Sequence, residues 1–153
     1  MQTILTHFNP LSVFVASIVS FIVGSIWFGP KTFYPIWMKA LGREIPKERV
    51  KMSAGETFLM FGGTYLGALI QVSTLGIIIA AFKMTYGDGM TWALGLYLGF
   101  LFSAGLGAFA SLSHRMFGQP DFKVYRSLKV WLIEVGQDVL CLSIAGAILG
   151  AWA

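Results

Sequence analysis

The 153-residue chain is 56% apolar and only 12% charged, with a formal net charge of +4, whereas soluble domains carry about 25% charged residues. That balance excludes an ordinary water-soluble domain. The basic charges fall in two loops between apolar spans, with no basic helix or RNA-binding signature, so no nucleic-acid partner is expected. The single Cys141 lies inside an apolar run, which leaves neither a disulfide framework nor a CxxC metal site.

No Lys or Arg precedes the first apolar run, so it lacks the charged region of a signal peptide and is expected to be kept as a structural helix. Asn9-Pro10 opens this helix, which is predicted over residues 9–28. About 20 residues at ~1.5 Å each cross a hydrocarbon core of ~30 Å. Ala16, Ser20 and Gly24 recur every four residues and form a small-residue face that a second helix backbone can approach closely.

The run then ends in aromatics, breaks at Gly29-Pro30 and turns basic. Pro30 cannot continue the helix, because it lacks an N–H and clashes with the preceding turn. Pro35 and Gly42 bracket a short second helix, predicted over 35–42, with Pro near its start and Gly just past its end. Phe33, Tyr34, Trp37 and Leu41 share one side of this stretch, with Lys39 and Arg43 opposite. Such a segment lies in the membrane interface rather than crossing it. Trp27, Phe33, Tyr34 and Trp37 are its expected anchors, since amphipathic rings favour the headgroup layer.

Residues 43–57 are the one strongly charged stretch, in which Pro46 is a candidate helix start and Glu48 and Lys51 a candidate i,i+3 pair. The second spanning helix is predicted over 58–82. It carries Gly63-xxx-Gly67, a packing candidate, and a mildly polar stripe of Thr64, Gly67, Gln71 and Thr74. Lys83 to Thr91, with Tyr86-Gly87-Asp88-Gly89, reads as a short turn joining two antiparallel helices, and it is too short for a calcium loop.

The third spanning helix, over 92–113, repeats small residues at Gly95, Gly99, Ser103, Gly107 and Ser111. Five small residues at an unbroken spacing of four predict tight contact with another helix, within one subunit or between subunits. A phosphate loop is excluded, because no strand precedes the glycines and no Gly-Lys-Ser/Thr comes after them. His114, Arg115, Lys123, Arg126 and Lys129 make the second basic loop. His7 and His114 are expected on opposite membrane faces, so no shared metal site is predicted.

The fourth helix, over 128–152, carries the exception to this apolar pattern. Glu134, Gln137 and Asp138 stand at i, i+3 and i+4, with Cys141 one turn further on the same face. Asp138 lies about 15 Å along this helix, near the middle of a ~30 Å core. Gln71, Ser103 and either Ser17 or Ser20 reach similar depth, so a polar midplane layer is expected. A carboxylate facing lipid there costs at least ~2.5 kcal/mol, which directs both acids inward. No basic residue of the chain reaches that depth, so no internal salt bridge is expected for Asp138.

The elements sum to an all-α, polytopic integral membrane protein: one domain over 1–153, four transmembrane helices and an interfacial helix after the first. Of the 11 Lys and Arg residues, Lys83 alone falls on the face opposite the two basic loops. The positive-inside rule therefore places both termini outside the cytoplasm, in a multi-pass cell (inner) membrane protein.

The Asn9 start, Gly24-xx-Trp27-Phe28-x-Pro30, the subsequent Phe33 and Trp37, Gly42 and the final Gly146-xxx-Gly150-x-Trp152 resemble a small bacterial membrane family catalogued as domain of unknown function 1761. The resemblance covers nearly the whole chain. It implies four membrane helices, an unassigned function and no catalytic residues. Phe28 departs from the Tyr usual in that family, and the acidic pair of the last helix stands outside the resemblance.

Three function classes are consistent with these features. The first is a small oligomeric transporter or channel-like protein, with Glu134, Asp138, Gln137 and Gln71 as cation- or proton-binding candidates. The second is an accessory or packing subunit of a larger membrane complex, held by the small-residue stripes. The third and least favoured is a membrane enzyme on a lipid or quinone, for which only the carboxylates could act as acid or base. Expected partners are the lipid bilayer and a second copy or another membrane subunit; no cofactor is named.

Overall fold

The computed structural model describes residues 2–46, 51–117 and 123–153. All regular elements among them are helical. A six-residue helix, α1 (Gln2–His7), precedes the first span and was not expected from the sequence. The span itself, α2 (Pro10–Trp27), starts where Asn9 predicts. The Asn9 side chain accepts from the N–H groups of Leu11 and Ser12 at 3.0 and 3.2 Å, satisfying donors that a helix start leaves orphaned. The short helix expected after the first span is α3 (Tyr34–Ala40), closed by Gly42 at φ 72°, a left-handed conformation that suits glycine.

The second span, α4 (Ala54–Tyr86), is longer than predicted. Ser53 and Glu56 form a reciprocal capping box that starts it four residues early. Its 33 residues reach about 50 Å, well beyond the ~30 Å hydrocarbon core. The expected Glu48–Lys51 pair involves a residue outside the described ones, and residues 51–53 are not helical. A single 3-10 turn (Gly87–Gly89) leads into the third span.

That third span is a continuous run, Trp92–Phe117, in three parts: α5 (Trp92–Phe102), a π turn (Ser103–Ala108) and α6 (Phe109–Phe117). The fourth, α7 (Val124–Ala151), begins four residues before the predicted start. Four helices are thus long and apolar enough to cross a membrane.

The closest packing joins α5 to α7. A Cβ built on Gly95 would collide with the Gly146 carbonyl, and one on Gly99 with the Leu142 carbonyl. One on Gly150 would lie 3.0 Å from the Gly95 Cα. Backbone meets backbone here, which only glycine permits. Ser103 is also buried, but the row then fails. A π turn adds a residue, rotating the rest of the helix by roughly 100°. Gly107 accordingly meets nothing within 4 Å and takes no part in helix packing within the chain. Gly63 and Gly67 likewise face open space within the chain; α4 makes its close approach at Gly76, against Val13 and Phe8.

The apolar core occupies one end of the bundle. It unites Val13 and Ala16 of α2, Val72, Leu75 and Ile79 of α4, Met90, Leu98 of α5, and Ala145 and Leu149 of α7. All buried residues of α4 lie between Val72 and Ala80. Before Leu69, which touches the edge of that core, α4 adds nothing to it, and the space beside this stretch is where the polar residues gather.

Candidate functional site

A cavity of about 770 Å³ opens between α2, α3, α4 and α7. α7 contributes Glu134, Gln137, Asp138 and Cys141, the four positions that helical spacing places on one face. α4 contributes Thr64, Gly67 and Gln71, three members of its polar stripe. α2 adds Ser20, Phe21, Gly24 and Phe28, and α3 adds Tyr34 and Trp37. Residues from opposite ends of the chain therefore share one chamber. Of the expected midplane layer, Ser20 lines it and Ser103 does not; Ser17, the alternative to Ser20, is buried with its Oγ 3.2 Å from the Tyr65 hydroxyl.

The two carboxylates have different surroundings. Glu134 Oε2 is ion-paired with Arg115 Nε at 2.6 Å, while its Oε1 accepts from the Trp37 indole N–H at 3.0 Å. Glu134 thereby ties α3, α6 and α7 together. Asp138 has no hydrogen bond or ion pair among the described residues, although it stands one turn away on the same face. Asp138 is residue 15 of the 28 in α7, about 21 Å from its start and so at mid-helix. Gln71 is also at mid-helix, residue 18 of 33 in α4, and its side chain is exposed toward the same cavity.

The wall behind the acids is built from reciprocal contacts. Ser20 Oγ donates to the Cys141 carbonyl at 3.3 Å, and Cys141 Sγ donates to the Ser20 carbonyl at 3.4 Å. The Ser20 hydroxyl and the buried thiol thus join α2 to α7. Gly24 has a similar purpose: a Cβ there would lie 2.8 Å from Gln137 Nε2, so the missing side chain gives the amide room. Gln137 Nε2 in turn contacts Cys141 Sγ at 3.6 Å.

The aromatic block is tied into the bundle. Trp27 stacks on Phe33 at 4.2 Å between ring centroids and donates its indole N–H to the Ile133 carbonyl at 3.0 Å. Phe28 meets Trp37 edge-on at 5.4 Å. Three of the four expected anchors are thus fastened to each other or to α7, and Tyr34 lines the cavity.

Sequence reasoning missed Arg115, which it placed in a loop. The third span extends to Phe117 as helix, so Arg115 projects from α6 toward Glu134. Trp131 was also missed; its indole N–H donates to the Ala108 carbonyl at the end of the π turn, at 3.0 Å. Neither pairing has a local sequence signal, because each depends on the phase set by the π turn. Among the described residues, no three His, Cys, Asp or Glu side chains come together as a metal site.

Fold and site together define a small all-helical protein with four membrane-length helices, three of which border a partly polar chamber. The chain belongs to the family described as protein of unknown function (DUF1761), whose model matches residues 11–150. No curated protein and no solved structure matches it.

Proposed function

We propose that the protein is a small membrane transporter or channel-like protein in which Asp138 binds a cation or proton. The observation that carries this reading is a carboxylate without a partner among the described residues, at mid-helix, on a cavity of about 770 Å³. An ionisable group at membrane depth is costly and by default functional. Glu134 has a different role, since Arg115 and Trp37 already satisfy it and hold the chamber's end together. Gln71, Gln137 and Thr64 supply neutral dipoles around the charge.

Asp138→Asn tests the reading, because it preserves shape and removes only the titratable charge. In reconstituted vesicles the variant is expected to assemble normally and to lose proton or cation flux. Wild-type flux in a normally assembled Asp138→Asn protein would remove the transport reading.

An accessory-subunit role has one observation in its favour. No residue in the first half of α4 is fully buried within the chain, and large apolar residues such as Phe58 and Leu59 stand exposed on it. That half could seat a neighbouring membrane helix. It leaves Asp138 without a use, which is why it ranks second.

A further inference from the structure

We infer that the cavity binds a monovalent, lipophilic organic cation, held by Asp138 and by the aromatic faces around it. This inference rests on the cation-binding reading above and narrows it to a substrate class. Three features of the chamber carry it: size, lining and net charge.

The volume, about 770 Å³, falls within the range of pockets for drug-sized ligands, roughly 300–1,000 Å³. A bare inorganic ion would leave nearly all of it to water, at about 30 Å³ per molecule, against largely apolar walls. Those walls are rich in rings: Phe21, Phe28, Tyr34, Trp37 and Phe61. Aromatic faces attract organic cations through the ring quadrupole, most strongly where water is excluded.

The charge selects the valence. Of the two acids lining the chamber, Glu134 is neutralised by Arg115, leaving Asp138 as the one uncompensated charge there among the described residues. A single positive charge balances it. A second copy of this chain is a poorer occupant. Every Lys and Arg lies at position 31–51, 83 or 115–129, outside the middle of every span, so a docked copy brings no cation to Asp138's depth. It would bury an unpaired carboxylate, which is strongly unfavourable.

Access fits the same class. The first half of α4 touches α2 through Tyr65, against Ser17 and Phe21, while Phe58, Leu59, Leu66 and Ile70 stand exposed on it, so this wall is a single helix with an open apolar outer face. A lipophilic cation already dissolved in the bilayer reaches such a wall directly.

The test uses tetraphenylphosphonium and tetraphenylborate, ions of the same shape and opposite charge, in equilibrium dialysis against the full-length protein in mild detergent. Wild type is expected to bind the cation saturably and not the anion. Asp138→Asn is expected to weaken binding at least tenfold, equivalent to about 1.4 kcal/mol. A second variant keeps the test independent of the acid. Gly67 lines the chamber and a Cβ there meets nothing within 4 Å, so Gly67→Leu adds bulk to the void without displacing backbone. It is expected to abolish phosphonium binding while oligomer size and thermal stability persist.

Equal binding by wild type and Asp138→Asn, or equal binding of both ions, overturns the inference, because apolar partition then suffices. No phosphonium binding alongside an Asp138-dependent inorganic flux overturns it while leaving the transport reading intact. Loss of both discards both. No binding together with a changed oligomer size in Gly67→Leu also overturns it, and identifies a second copy as the occupant.

Discussion

The two ends of the bundle are packed by opposite rules. At one end, the first half of α2, the second half of α4, α5 and the second half of α7 converge on an apolar core sealed by glycine-to-backbone contacts. At the other, α4 stands apart, and the space is bordered by acids, amides and rings held by indole and guanidinium donors. The difference shows how a short chain in lipid can be rigid and hollow at once. Where no hydrophobic force drives helices together, close backbone packing has to supply the adhesion, and small residues supply that. The sealed end therefore holds the helices in register so that the open end can keep a void.

The largest effect should come from the sealed end. A Cβ on Gly99 meets the Leu142 carbonyl and, at 3.1 Å, the Ser143 Cα, and backbone on both sides cannot yield. Gly99→Ala is expected to lose about 2 kcal/mol or more, at the upper part of the range for overpacked sites. Thermal unfolding in detergent reads this directly. A melting temperature equal to wild type would mean that α5 and α7 are not in backbone contact, and the contrast between the two ends would collapse.

A middle-sized effect is expected at the open end, from Glu134→Gln. The amide oxygen can still accept the Trp37 indole N–H, so the substitution isolates the ion pair with Arg115. The Arg115 side chain is 42% exposed, which limits the pair to about 1 kcal/mol after screening. The same substitution leaves the guanidinium charge unopposed near Asp138, so phosphonium binding should weaken as well. Unchanged stability and unchanged binding together would show that the Arg115 pair contributes nothing to holding α6 on α7.

Legibility in the sequence followed the range of the forces involved. The spans, the Asn9 start, the break at Pro30 and the turn at Gly87 come from local backbone preference and apolar length, and all are present. The family could be recognised from the aromatic block and the closing glycines. Glu134, Gln137, Asp138 and Gln71 were named from depth and helical phase, and the structure brings all four to one cavity. Three features were not legible. The π turn has no residue signature, yet it decides that Gly107 leaves the packing row. The Arg115–Glu134 pair depends on how far α6 continues. Gly63 and Gly67 repeat the spacing of Gly95 and Gly99, and a spacing cannot say whether a neighbour is there to use it.

That last pair offers the smallest and most pointed test, because it predicts a reversal of sign. Gly63 lies within regular helix, and a Cβ there meets nothing within 4 Å. The cost of glycine in a helix interior is its excess backbone freedom, so alanine should stabilise by about 0.5–1 kcal/mol where space is free. Gly63→Ala is therefore expected to raise the melting temperature slightly, where Gly99→Ala lowers it strongly. The measurement is best made at two protein concentrations in detergent. A gain at both fits a helix face bathed in lipid. A loss that grows with protein concentration would mean instead that Gly63 packs against a neighbouring subunit. The open end would then be half of an interface, and its void a property of the isolated chain alone.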